Sequence, residues 1–334
     1  MTVLYDIEIL IDGRDLNEQH AFDLMKTLIS SGTDLEKTVF LLAVHMKGMI
    51  GQELTGYANA VRSEAKIGAI PGTNDIVGTG GDGMHTINVS TAASILCAGI
   101  GLRMAKHGNH AITSPQGSAD IMARMNYRFE KSQRELEDHL DRTNFAFMLA
   151  PYYNEAFAKF FPARKMLTFR TVMNYMGPIT NPADPERLVI GTSDPSTCEL
   201  YADYLSIRKK KGFIVNASDG MDEISPISTS RAIMVDNGRK EFTVVPKEFG
   251  VPAMRYDDIT FPDPKKNRQM LQEGLFGHDD RIAAFIALNA SPVLVLNGAA
   301  STLEEGYELA MKEIKAGTGK KSFRRISGGL DSLA

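Results

Sequence analysis

Between residue 16 and about residue 65, apolar side chains recur every three or four positions, through Phe22, Leu24, Met25 and Leu28 and then Val39, Leu41, Leu42, Val44 and Met46. That period places them on one stripe, so the segment predicts amphipathic helices. Residues 31–34 (SGTD) break the first helix, and Asp34 is positioned to cap the next. After Pro71 and Gly72 the pattern changes to short apolar runs punctuated by glycine. Residues 75–77, 86–89 and 102–105 read as strands, and a helix opens at Thr91. Further runs at 145–149, 188–190, 212–215, 231–235 and 241–245 add strands, with helical patterns at 134–141, 153–161, 196–208 and 279–290 between or after them. A last helix, 303–316, precedes GTGKKSFRRISGG, which reads as a short basic tail. The fold class is therefore α/β: a small N-terminal helical domain over residues 1–70, completed by part of 165–190, beside a larger α/β domain over 71–334 with a central mixed sheet.

Composition narrows the class without naming a chemistry. The 334 residues are 43% hydrophobic and 23% charged, ordinary values for a chain that buries its own core. A net charge of -4 gives no general attraction to nucleic acid or anionic membrane, so any anion site must be built locally. Cys97 and Cys198 lie far apart with no C-x-x-C companion, which argues against a zinc site or a disulfide framework. The first residues carry acids where a signal peptide carries bases, and the most apolar stretch, 282–296, is interrupted by Asn289, Ser291 and Pro292. A cytoplasmic protein is expected.

The most informative segment is DIVGTGGDGMHTINVSTAAS, residues 75–94. Glycines at 78, 80, 81 and 83 let backbone N–H groups approach an anion and permit positive φ. Ser90 stands where an N-cap belongs, so the positive end of the following helix faces the same place. Neither a Walker A pattern nor a dinucleotide fingerprint fits the spacing. Asp82 repels a bare phosphate, so a metal-bridged or sugar-bearing phosphate suits the loop better. Farther on, DGMDEIS places Asp222 and Glu223 side by side after a strand. An isolated Asp-Glu pair is most often a solvated turn, but two adjacent carboxylates also suit a hard cation such as magnesium. KHGN, residues 106–109, joins the charge of Lys106 to the titratable ring of His107, and Arg164 offers a fork that matches a carboxylate.

These blocks together resemble the anthranilate phosphoribosyltransferase family. GTGGDG with Asn88, Ser90 and Thr91, then KHGN, GSAD (117–120), Arg164, RTVMNYMGPITNPA (170–183) and DGMDEIS run through most of the chain in order, from GRDL and HMKG in the N-terminal helices to the last helix. The resemblance implies a nucleoside-phosphorylase-like fold, a homodimer formed through the helical part, and transfer of a phosphoribosyl group from phosphoribosyl diphosphate to anthranilate. By the same resemblance, Gly78, Thr79, Gly80, Gly81, Asp82, Thr86, Asn88, Ser90, Thr91, Lys106 and Ser118 bind the diphosphate donor, Ser118 from a closing loop. Gly78, His107, Asn109, Arg164 and Pro178 face anthranilate, with Arg164 on its carboxylate. Ser90, Asp222 and Glu223 hold one or two Mg2+ ions, and Arg170 and Asn174 support the hinge.

The chain departs from the family pattern at His110, where arginine is usual, at Pro115 and Gln116, where a Lys-Ser pair is common, and at Asn154, where many members carry histidine. Two other readings stay open at this level. A pyrimidine-nucleoside phosphorylase shares the fold but carries a KTSTGG-like loop, and a nucleic-acid-binding relative would draw on the basic residues 320–325.

Overall fold

The computed structural model describes residues 3–111, 116–261 and 263–328. Four helices open it: α1 (Val3–Ile11), α2 (Glu18–Ser30), α3 (Asp34–Lys47) and α4 (Gly51–Ser63). Thr33, not Asp34, caps α3. Its hydroxyl accepts the Glu36 N–H while the Glu36 carboxylate returns to the Thr33 N–H, a reciprocal box that a helix-starting Asp34 could not make. The GRDL and HMKG segments meet across this bundle. Lys47 Nζ bonds Asp15 Oδ1 at 2.6 Å and Glu53 Oε2 at 3.0 Å, and Glu53 Oε1 accepts the Leu16 N–H at 2.9 Å.

The rest is built on one seven-stranded sheet in the order β3-β2-β1-β4-β5-β6-β7. Its strands are β1 (Asn74–Gly78), β2 (Met104–Gly108), β3 (Phe145–Leu149), β4 (Arg187–Gly191), β5 (Lys211–Ala217), β6 (Ser230–Val235) and β7 (Arg239–Val244). The first five in sequence are parallel, while β6 and β7 pair antiparallel at one edge. Alternation along the strands divides the core. Val189, Phe213 and Val215 face a cluster with α5 (Val89–Ile100), α13 (Pro264–Leu275), α14 (Asp280–Leu296), α15 (Leu303–Lys315) and α16 (Thr318–Ile326). Leu188, Ile190 and Ile214 face the opposite way, onto α12 (Cys198–Ile207) and the N-terminal bundle. Burial on both sides is why these strands read as unbroken apolar runs.

Between β2 and β4 the chain forms α6 (Ser118–Arg124), α7 (Gln133–Thr143) and four short helices, α8 (Ala150–Tyr153), α9 (Ala156–Lys159), α10 (Phe161–Lys165) and α11 (Val172–Tyr175). Ala156, Phe160, Ala163, Val172 and Met176 from this stretch join the core of the N-terminal bundle. Among the described residues no helix is long and apolar enough to cross a membrane.

Three sequence expectations need correction. Residues 86–89 form no strand, because both edges of β1 are taken by β2 and β4. Only Thr86 makes an isolated bridge, to Thr260, and Val89 already belongs to α5. The single helix expected over 153–161 is broken where the Asn154 carboxamide accepts the Ala156 N–H at 2.9 Å and starts a new turn. The basic tail is helix α16, which buries Phe323 and Ile326 and bonds Ser322 Oγ to the Ile95 carbonyl at 2.7 Å. Its apolar residues are few, but they fall on one face beside α5.

Candidate active site

All five parallel strands end on the same side, and the loops beyond them carry the segments picked out in the sequence. Strand order reverses between β1 and β4, which leaves a crevice outside their carboxyl ends. Gly78 and Gly191 are register partners at those ends. A Cβ on Gly78 would stand 2.1 Å from Asp222 Oδ2, and one on Gly191 would stand 1.6 Å from the Asp222 carbonyl oxygen. Any side chain at either place would expel the loop that carries Asp222 and Glu223. That loop is braced from behind: Ser225 Oγ donates to Asp219 Oδ2 at 2.6 Å, and Asn289 of α14 bonds both the N–H and the carbonyl of Ile224, at 2.9 and 3.0 Å.

The glycine loop is gripped from two sides. Asp222 Oδ2 accepts the Gly80 N–H at 2.6 Å, and Arg170 Nη2 donates to the carbonyls of Gly80 and Gly81, both at 2.7 Å. Because the peptide units are planar and trans, the N–H groups of Gly81 and Asp82 point away from Arg170 as two aligned donors for an anion. The φ values of 67°, 69° and 75° at Gly80, Gly81 and Gly83 lie in the left-handed region that favours glycine. Arg170 is thus a clamp on the loop, a role the sequence did not suggest. Asn174 caps α11 through the Thr171 N–H at 3.0 Å. Thr79 N–H bonds the Gly191 carbonyl at 2.9 Å, and the hydroxyls of Thr79 and Thr91 are buried with no partner among the described residues. Leaving a buried hydroxyl unpaired costs about 1–3 kcal/mol, and two of them lie in and just after the glycine loop.

Helix α5 begins two residues earlier than expected. Asn88 is the N-cap and Ser90 lies in the first turn, yet Asn88 makes no side-chain capping bond. Its Oδ1 is already taken, at 2.7 Å, by Asn267 Nδ2 from α13.

Electrostatically this side is crowded with acid. Asp222 is pushed up to about 7 by burial first and the neighbouring Asp82 second. Burial, then Asp222 and Asp82, hold Glu223 well above the ordinary carboxylate range, and Thr86 Oγ1 donates to it at 3.4 Å. Lys106 is the cation that opposes them. Burial draws its ammonium down, while Asp75, Glu223 and Asp222 pull it up. Its Nζ meets the Ile76 carbonyl at 2.6 Å and that of His107 at 3.4 Å. Among the described residues no three His, Cys, Asp or Glu side chains form a ready metal cage. A cation here would complete its shell with phosphate and water, as magnesium does. The residues fit such an ion, since buried carboxylates that resist ionising gain most from a divalent charge.

The other wall has the opposite character. His107 Nδ1 lies 3.1 Å from the Gly177 carbonyl, which can only accept, so Nδ1 carries the proton and Nε2 presents a lone pair. Burial lowers the ring to about 4, so it is neutral. The His107 N–H donates to Asp75 Oδ1 at 3.2 Å, and Asn181 Nδ2 holds Asp75 Oδ2 at 2.9 Å, which fixes Gly177 and Pro178 beside β2. Arg62 of α4 reaches the same segment, donating to the Ile179 carbonyl at 2.9 Å. Asn109 receives the Ala119 N–H on its carbonyl at 3.1 Å, and Ser118 opens α6 against Gly108. Arg164, on α10, is half-buried, and burial lowers its guanidinium. Among the described residues its guanidinium has no hydrogen bond or ion pair. Among the described residues no side-chain hydrogen bond or ion pair joins it to the rest of the site.

The departures from the family pattern also find places. Asn154 Nδ2 donates to the Val61 carbonyl of α4 at 2.6 Å, so its carboxamide, which also accepts the Ala156 N–H, ties the start of α9 to the bundle. His110 Nδ1 meets Asp120 Oδ1 at 2.6 Å, and Asp120 Oδ2 accepts the N–H groups of Ala111 and Gly117, both at 2.9 Å. Gln116 is buried against Asn267. Pro115 lies outside the described residues.

A crevice at the switch point of a parallel sheet, with a glycine-rich loop and a cluster of buried carboxylates, is the kind of place where α/β proteins bind phosphorylated ligands. Residues 7–65 match the family model described as "Glycosyl transferase family, helical bundle domain", and residues 71–320 match "Glycosyl transferase family, a/b domain". The anthranilate phosphoribosyltransferase of Picrophilus torridus is 39% identical over 325 residues, covering 97% of this chain and 99% of that protein. The crystal structure of the Thermus thermophilus anthranilate phosphoribosyltransferase superposes with a TM-score of 0.90 at 28% identity, over 98% of this chain and 99% of that one. The Saccharomyces cerevisiae enzyme in complex with PRPP and Mg gives 0.87 at 25% identity, over 99% and 98%. A variant of it in complex with 4-fluoroanthranilate gives 0.84 at 25% identity, over 99% and 98%. The chain belongs to the glycosyl transferase family, among the anthranilate phosphoribosyltransferases.

Proposed function

We propose that this protein transfers the 5-phosphoribosyl group of 5-phosphoribosyl 1-pyrophosphate to the amino group of anthranilate, a step of tryptophan biosynthesis. The observation that carries the acceptor is Arg164, a half-buried guanidinium without an anionic partner among the described residues, which a planar carboxylate would pair. The amine lone pair forms the bond to C1 of the ribose, the C1–O bond breaks with its electrons on pyrophosphate, and the amine gives up one proton to the departing pyrophosphate or to water. His107 Nε2 accepts a hydrogen bond from the amine and orients its lone pair, while Gly78, Asn109 and Pro178 shape the acceptor slot. The N–H groups of Gly81 and Asp82, with Thr79, Asn88, Thr91, Lys106 and Ser118, bind the donor. Asp222 and Glu223, with Ser90, would hold one or two magnesium ions, which neutralise charge on the departing diphosphate.

The two halves, residues 1–70 with part of 165–190 and residues 71–334, would close over the substrates and exclude water. We also infer a cytoplasmic homodimer. Its support is a row of exposed apolar residues on the N-terminal bundle, Leu35, Leu42 and Met46 of α3 with Leu4 and Ile11 of α1. The deciding assay mixes protein, magnesium, anthranilate and the diphosphate and follows the loss of anthranilate fluorescence. Absence of turnover in a folded sample overturns the proposal.

A further inference from the structure

Asn267 lies on α13, far in sequence from every motif, and it is completely buried. Its carboxamide is fully used. Nδ2 donates to Asn88 Oδ1 at 2.7 Å and to Gln116 Oε1 at 2.9 Å, while Oδ1 accepts the Asn88 N–H at 3.4 Å. This arrangement permits one orientation. The Asn88 N–H can only donate, so it must face Asn267 Oδ1. That leaves Nδ2 on the other side, where Asn88 must present its oxygen. Gln116 takes the second Nδ2 hydrogen with its own oxygen and so removes the alternative flip.

The outcome at Asn88 is a carboxamide held by its oxygen, with Nδ2 left as a donor that meets no acceptor among the described residues. Asn88 is also the N-cap of α5, directly before Ser90 and Thr91. An N-cap asparagine ordinarily spends its oxygen on the helix N–H groups. Here the oxygen is diverted to α13, and the side chain points donors, not acceptors, from the start of the helix.

We propose that Asn267 and Gln116 are positioning residues of the donor site: they lock the Asn88 carboxamide so that its Nδ2 donates to the phosphoribosyl donor. The inference rests on the functional reading above, and it gives Gln116, a departure from the common family residue, a specific task. The geometry ties α13 to the same task.

The test is a set of double-mutant cycles on the transfer reaction, read as separate KM values and kcat. Asn267→Leu should raise KM for the diphosphate about tenfold, consistent with loss of a hydrogen-bond grip, while KM for anthranilate and kcat stay within about twofold. Gln116→Met should act in the same direction by about threefold, and it serves if Asn267→Leu folds poorly. Because both act through Asn88, neither should worsen KM further when added to Asn88→Ala. Additive effects, or equal rises in both KM values, overturn the proposal. Wild-type protein that turns over while the cycles are additive sinks this inference alone. Wild-type protein without transfer sinks the functional reading and this inference with it.

Discussion

The two walls of the crevice carry opposite electrostatic deficits. On the glycine-loop side, Asp82, Asp222 and Glu223 crowd together, Lys106 offsets part of the charge on Glu223, and two of the acids are driven toward the neutral form. The opposite deficit lies at Arg164 of α10, a half-buried cation whose guanidinium has no ion pair among the described residues, while burial keeps the His107 ring neutral. Each wall is incomplete in a way that specifies its ligand. Under the proposed function, one would take a cation and the phosphates it brings, and the other a carboxylate. A site for a single anion would have pooled these charges. Under the proposed function, keeping them apart would let two anionic substrates enter without competing.

The comparison can be broken by removing either deficit. The largest effect is expected from Asp222→Asn combined with Glu223→Gln, which should lower kcat/KM about 10³-fold through lost metal binding. Undiminished activity at limiting magnesium would dissolve the acidic half of the contrast. Next, Arg164→Ala should raise KM for anthranilate about 30- to 100-fold, as for a lost charge-assisted pair, with KM for the diphosphate nearly intact. Equal weakening of both substrates would show that the walls are not separate. Arg170→Met releases the carbonyls of Gly80 and Gly81 and should cost about tenfold in diphosphate KM alone. An effect on anthranilate of the same size would remove its role as a loop clamp.

The smallest effect is on stability. Asp222 has a folded value of about 7 against an ordinary value of 3.8, so its neutral form favours the folded state. That contribution is complete below about 4 and is lost as pH rises through about 7. His107, lowered to about 4, acts in the opposite sense, since its protonation destabilises the fold as pH falls below about 6.5. Between pH 6 and 8, thermal melts of metal-free protein should therefore fall with rising pH, and Asp222→Asn should flatten that slope. A wild-type slope that survives the substitution would place the strain elsewhere.

Much of this was legible from pattern and motif. The five parallel strands appeared because apolar runs flanked by glycine are what two-sided burial requires, and 145–149 was read to the residue. Strand 86–89 failed because pattern alone cannot tell that β1 has no free edge. The basic tail failed because Phe323 and Ile326 give a short apolar stripe within a charged segment. In the site, the glycines, Lys106 and the Asp222-Glu223 pair stood out because their chemistry is local. The roles of Arg170, Asp75 with Asn181, and Asn267 with Gln116 did not, since each acts through partners 90 to 179 residues away. Gly191 gave no signal either, because its meaning lies in the Asp222 loop that folds over it.

The antiparallel end of the sheet has a consequence for how the protein behaves when concentrated. Strand β7 leaves one row of backbone donors and acceptors without a neighbouring strand, and such an edge can recruit another copy into an aggregate. Here Arg239, Lys240 and Glu241 occupy consecutive exposed positions along it, and Arg239 is pinned to Asp203 of α12 at 2.5 Å. Charges on both faces of the open strand make edge-to-edge growth costly. Replacing Lys240 and Glu241 with valine would turn this guarded border into a nucleus for insoluble protein.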